Sequence, residues 1–239
     1  MRGAAIANRP TNWSWPLWGV GAGVLGAIGH LFTLETPSTE ETVAGSAFIA
    51  ELNHTVYHVG IVAGMFAVFF VLAFAAGWRR WAAGTGRESL MTELVGLAVV
   101  ASAGAMFLGY GFKGSLAVYL PGGSDYPYVT NDALMSVYMF NDFAPFIAWW
   151  GVQMATVAIA WVALRERVLP RWVGALAAVF AVLPMILLFA VGLPGFPGVT
   201  HPLWMIVNGV AMALVLRRAV RTALAGTPSI SDTPVAATA

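Results

Sequence analysis

No cysteine occurs in the 239 residues, which excludes disulfides, thiolate metal sites and thiol nucleophiles. Only His, carboxylate, Met, Tyr and water remain as ligands. Charge is nearly as scarce. Asp, Glu, Lys and Arg make up 10% of the chain, against roughly 25% in a soluble domain, while 59% is hydrophobic. Mean hydropathy is +0.77, so much of the apolar surface has to face lipid. A net charge of +1 supplies no field to recruit nucleic acid. Walker, HExxH, Gly-x-Ser-x-Gly and Asp-Asp-x-x-Asp motifs are all missing, so nothing points to a nucleotide, a zincin protease, a serine hydrolase of that type or a prenyl transferase.

What is present is a series of apolar runs. A helix needs about 20 apolar residues to cross the hydrocarbon core, and six stretches approach that length: 15–34, 56–78, 94–112, 143–164, 172–193 and 203–216. Each is expected to be helical throughout, because lipid offers no partner for bare backbone groups. None alternates polar with apolar, so a barrel is not expected. No small-residue cleavage site follows the first run, which reads as a retained helix rather than a signal peptide.

Charge distribution gives the orientation. Arg2 and Arg9, then Arg79, Arg80 and Arg87, then Arg165, Arg167 and Arg171, then Arg217, Arg218 and Arg221 occupy alternate connections. The other connections hold Glu35, Glu40, Glu41, Glu51, Asp125, Asp132 and Asp142, with Lys113 as their one cation. The bias of Lys and Arg toward the cytoplasm predicts an all-α bundle of six transmembrane helices in the inner or plasma membrane, with both termini inside. Residues 1–14 form a cytoplasmic segment in this reading, 15–221 the membrane domain, and 222–239 a disordered tail rich in Ala, Thr, Ser and Pro. The acidic connections are long. The second helix is expected to begin near Ser46, and the 113–142 segment to hold a Pro-Gly-Gly turn followed by an amphipathic stretch in the interface.

All four histidines fall near the extracytoplasmic ends of the expected helices. Glu51, His54 and His58 are spaced to share one helical face, and i, i+3 or i, i+4 spacing lets such side chains reach one metal. On the first helix Gly19, Gly23, Gly26 and His30 form a stripe that admits a close neighbour or a flat cofactor. Ser102, Met106, Gly109 and Lys113 on the third, Asp142, Phe146, Trp149 and Gln153 on the fourth, and His201, Trp204 or Met205, and Asn208 on the sixth complete an inward polar set. The fifth helix has no such stripe and is expected to face lipid.

Three functions are compatible with that set. In the first, His30 and His58 ligate a b-type haem or, with His54, His201, Glu51 and Asp142, an iron, copper or zinc ion in a redox protein. Absence of histidine from the cytoplasmic half then requires a quinone or another membrane subunit as electron partner. In the second, the same groups line the outer vestibule of a transporter, whose expected marker is a polar or broken helix at the midplane. Pro184, Gln153 and Asn208 are the candidates for that marker. In the third, the polar residues only knit the helices of an accessory or assembly subunit.

Overall fold

A computed structural model describes residues 13–36, 45–86 and 89–225. Most of the expected cytoplasmic N-terminal segment, and the expected disordered tail from residue 226 on, lie outside the described residues. Those described form α1 (Leu17–His30), a 3-10 helix (Gly45–Glu51), α2 (His54–Thr85), α3 (Leu90–Tyr119), α4 (Asn131–Ile147), α5 (Trp150–Leu164), α6 (Arg171–Val191) and α7 (Phe196–Ala225), with no strand among them.

Five helical stretches are long and apolar enough to cross a membrane: α2, α3, α4 together with α5, α6 and α7. The chain is therefore a helical membrane protein. The sixth expected span is shorter than the sequence suggests. α1 has 14 residues, about 21 Å at 1.5 Å per residue, against a hydrocarbon core of about 30 Å. Its apolar run continues, but the Thr33 hydroxyl donates to the carbonyls of Ile28 and Gly29 at 2.8 and 3.0 Å, and the chain leaves the helix there.

Side-chain caps set the other boundaries. Asn53 accepts from the Thr55 N–H at 3.0 Å to open α2, after the 3-10 helix that stands where a longer α2 was expected. Ser89 accepts from the Thr92 N–H at 3.1 Å to open α3, and Gly86 ends α2 at a positive φ of 64° that favours glycine. α3 runs on to Tyr119, past the expected end at residue 112, and the expected interfacial stretch becomes α4, which joins α5 through a break at Ala148 and Trp149.

Neighbours pack antiparallel. α1 lies between α2 and α7, α2 packs on α3, α3 on α4 and α5, α5 on α6, and α6 on α7, so the series closes on itself. Trp15 meets Trp78 and Trp81 near one end of α1, while Gly29 meets Gly64 near the other. One end of the bundle thus carries Arg79, Arg80, Arg165, Arg171 and Arg217, and the opposite end Glu35, Glu51, Asp132 and Asp142. These are called the arginine end and the acidic end below. Trp15, Phe74, Trp78 and Trp81 form a buried aromatic cluster toward the arginine end. α6 is the least buried of the long helices, as its lack of a polar stripe implies.

Candidate functional site: a polar interior at interrupted helices

Glycines bring the interior together. A methyl group at Gly23 would overlap the Pro202 carbonyl, and one at Gly26 the indole of Trp149, so α1 approaches α7 and the Trp149 side chain more closely than any larger residue allows. Gly29 and Gly64 form a notch for the Tyr110 ring, and Gly60 leaves room for the stem of Lys113. The inward stripe expected on the first helix is present: Gly19, Gly23, Gly26 and His30 are all buried.

Most polar side chains in this interior donate to backbone carbonyls at places where a helix is interrupted. Proline has no N–H, so Pro202 leaves the carbonyl of Gly198, four residues earlier in α7, without its helical donor. His30 Nε2 lies 2.7 Å from that oxygen. This bond puts the imidazole proton on Nε2 and leaves Nδ1 as an acceptor for the Tyr110 hydroxyl at 3.4 Å. Phe146 and Trp149 pack on the ring, with centroids 5.1 and 5.8 Å away. In the turn before Pro184 of α6, the Ala181 carbonyl accepts from Gln153 Nε2 at 2.8 Å. At the break between α4 and α5, the Ala148 carbonyl accepts from the Ser102 hydroxyl. Beyond the end of α1, Lys113 Nζ donates to Thr33 O at 2.5 Å and to Thr33 Oγ1 at 3.0 Å, and the Tyr138 hydroxyl donates to Glu35 O at 2.8 Å.

A second set of polar atoms has no such use. Among the described residues, nine buried side-chain N and O atoms lack a hydrogen-bond partner. Two are Trp15 Nε1 and Tyr57 OH; the other seven are both amide atoms of Asn141 and of Asn208, Trp149 Nε1, Gln153 Oε1 and His201 Nε2. At 100° per residue His201 and Asn208 share one face of α7. That face looks between Trp204, which contacts Phe180 of α6, and Met205, whose carbonyl meets Gly19 of α1. Gln153 reaches the level of Ala181, next to Phe180, and so lies at a depth between His201 and Asn208. The four residues Trp149, His201, Gln153 and Asn208 thus lie at successive depths from the acidic end toward the middle of the bundle. Each is at most 1% exposed.

The magnitude of this burial decides its meaning. An amide or imidazole atom buried without a partner costs about 1–3 kcal/mol, and more in lipid. Seven such atoms cost on the order of 10 kcal/mol, similar to the whole stability of a domain at about 5–15 kcal/mol. Five of the seven atoms belong to Trp149, His201, Gln153 and Asn208, so this cost falls mostly on those four residues.

The other residues expected in a metal or haem site lie elsewhere. His58 is exposed on α2, and Tyr57 and Gly60 take the inward face expected for Glu51, His54 and His58. Glu51 is exposed at the end of the 3-10 helix, and the half-buried ring of His54 covers the backbone of Gly122. Asp142 is exposed, whereas its neighbour Asn141 is buried. His30 and His201 remain inside, His30 with Nε2 engaged and His201 with Nδ1 3.2 Å from Pro197 O. No three His, Asp or Glu side chains gather to hold a metal ion among the described residues. Tyr110 was missed by sequence reading, and the signal that points to it is the pairing of Gly29 with Gly64.

No protein-family model, curated protein or solved structure matches the chain, so function rests on the site itself.

Proposed function

We propose that this protein binds a small, uncharged, hydrogen-bonding solute in the file formed by Trp149, His201, Gln153 and Asn208, and moves it across the membrane. The observation that carries this reading is the set of five unpartnered polar atoms on these four residues, in α5, in α7 and at the break before α5. An uncharged solute fits because neutral amides, an indole and an imidazole line the file, and an ion there would have no countercharge in a low-dielectric interior. Prolines at 145, 184 and 202 interrupt three of the helices around it, the arrangement by which transporters expose backbone and flex near the midplane. The buried layer of His30, Lys113 and His201 closes the acidic end, and the tryptophan cluster closes the other. Access therefore requires the interrupted helices to move. In this reading α1 is a sixth crossing completed by its flanking turns, both termini are cytoplasmic, and the acidic end is extracytoplasmic, following the arginine bias.

Absence of native cysteine makes the test clean. A thiolate reacts with a small neutral methanethiosulfonate only where water reaches it. Asn208→Cys is expected to react at least about ten times faster than Ala155→Cys, a buried position on α5 outside the file. Ser124→Cys should react with an impermeant reagent on intact cells. Equal inertness at 208 and 155 would mean a dry interior and leave the role of an assembly subunit; an inert Ser124→Cys would reverse the orientation.

A further inference from the structure

A groove of about 800 Å³ runs between α5 and α6 on the lipid-facing surface. Ala160 and Ala181 line it where large side chains are absent, and Trp161, Ile186 and Phe189 form its walls. On α6 it extends from Ala178 to Ala190. Helix α6 starts at Arg171, so Ala190 lies near its acidic end, and the part of the groove within one leaflet's roughly 15 Å of the arginine end is lined by Val157 to Arg165 on α5 with Ala178 and Ala181 on α6. At the arginine end the groove stops at Arg165, whose guanidinium lies 5.7 Å from the centre of the Trp161 ring. Arg167 and Arg171 follow in the same short connection, and all three are exposed. The one acid among them, Glu166, accepts from the Ser89 hydroxyl at 2.7 Å.

We infer that the arginine-end half of this groove is a binding site for an anionic phospholipid, one acyl chain lying along Trp161, Leu164, Ala178 and Ala181 and the phosphate meeting Arg165. A chain-length apolar trough ending in three arginines matches both halves of such a lipid. A second copy of the chain would instead bring its own α6 face, whose exposed Val179, Leu183 and Ile186 add no countercharge to the arginines. An arginine near an anionic headgroup favours it by a factor of about five over a zwitterionic one.

Native mass spectrometry of the full chain, delipidated and then given equal amounts of dioleoyl phosphatidylglycerol and dioleoyl phosphatidylcholine, reads this ratio directly. The wild type is expected to retain the anionic lipid about fivefold over the zwitterionic one. Arg165→Gln, at an exposed position, should lower the ratio severalfold, and Ala178→Phe should reduce retention of both lipids. Equal retention by the wild type overturns the inference. So does a ratio that Arg165→Gln leaves unchanged, or a dimer mass that Ala178→Phe abolishes, which assigns the groove to a second copy.

Discussion

Replacing His30 with leucine is expected to destabilise the protein by about 1–3 kcal/mol, because it leaves the Gly198 carbonyl buried without a donor. The same loss should be much smaller in a Pro202→Ala background. Alanine restores the N–H that bonds the carbonyl four residues earlier, so α7 satisfies Gly198 by itself. Thermal unfolding of the four proteins in detergent gives the coupling, and about 1 kcal/mol or more of rescue is expected. Strictly additive losses would mean that His30 serves something other than this oxygen. A ligand histidine gives no reason for rescue from position 202, so the cycle also separates a structural role from ligation.

Gly23→Leu should be at least as damaging. Leucine gains nearly 1 kcal/mol of helix propensity over glycine. Its side chain, however, has to enter the space held by the Pro202 carbonyl and Ile206, and a backbone oxygen in a packed helix cannot swing aside as a side-chain end can. Overpacking of this kind costs about 1–3 kcal/mol, so the clash wins. Ala27→Leu, at a partly exposed position on the same helix, is the control and should fold normally. Folded yield and midpoint of unfolding in detergent read the difference. Equal behaviour of the two variants would misplace the contact between α1 and α7.

Where side chains alternate sharply in size or polarity, the sequence revealed the inward face. The glycines before His30 identified that face on α1, Ser102 to Lys113 did so on α3, and the spacing of His201 to Asn208 did so on α7. On α2 the contrast is weak at the start. Tyr57 and His58 are adjacent, each is amphipathic, and one residue is 100° of rotation, so placing the histidine inward turned the helix by that much. The same slip separates Asn141 from Asp142. There Pro145 and the break at Ala148 reset the helical phase, and a face extrapolated backward from Trp149 and Gln153 lands on the wrong neighbour. Length misled in another way. The apolar run around α1 satisfies a hydropathy window, but the back-bonding hydroxyl of Thr33 and the Lys113 bond beyond it belong to tertiary structure. The hydrogen bond from His30 to the carbonyl freed by Pro202 is legible only once it is known which helices are neighbours.

Solute flux tests the central claim most directly. Proteoliposomes are mixed with an inward gradient of glycerol or urea, and the volume change is followed by stopped-flow light scattering beside protein-free vesicles. Wild type is expected to raise glycerol or urea permeability several-fold above the protein-free level. Asn208→Leu should return it to that level while unfolding at a higher temperature, since it removes two buried amide atoms that have no protein partner. Wild-type flux equal to that of empty vesicles, with Asn208→Leu no more stable than wild type, would contradict the account.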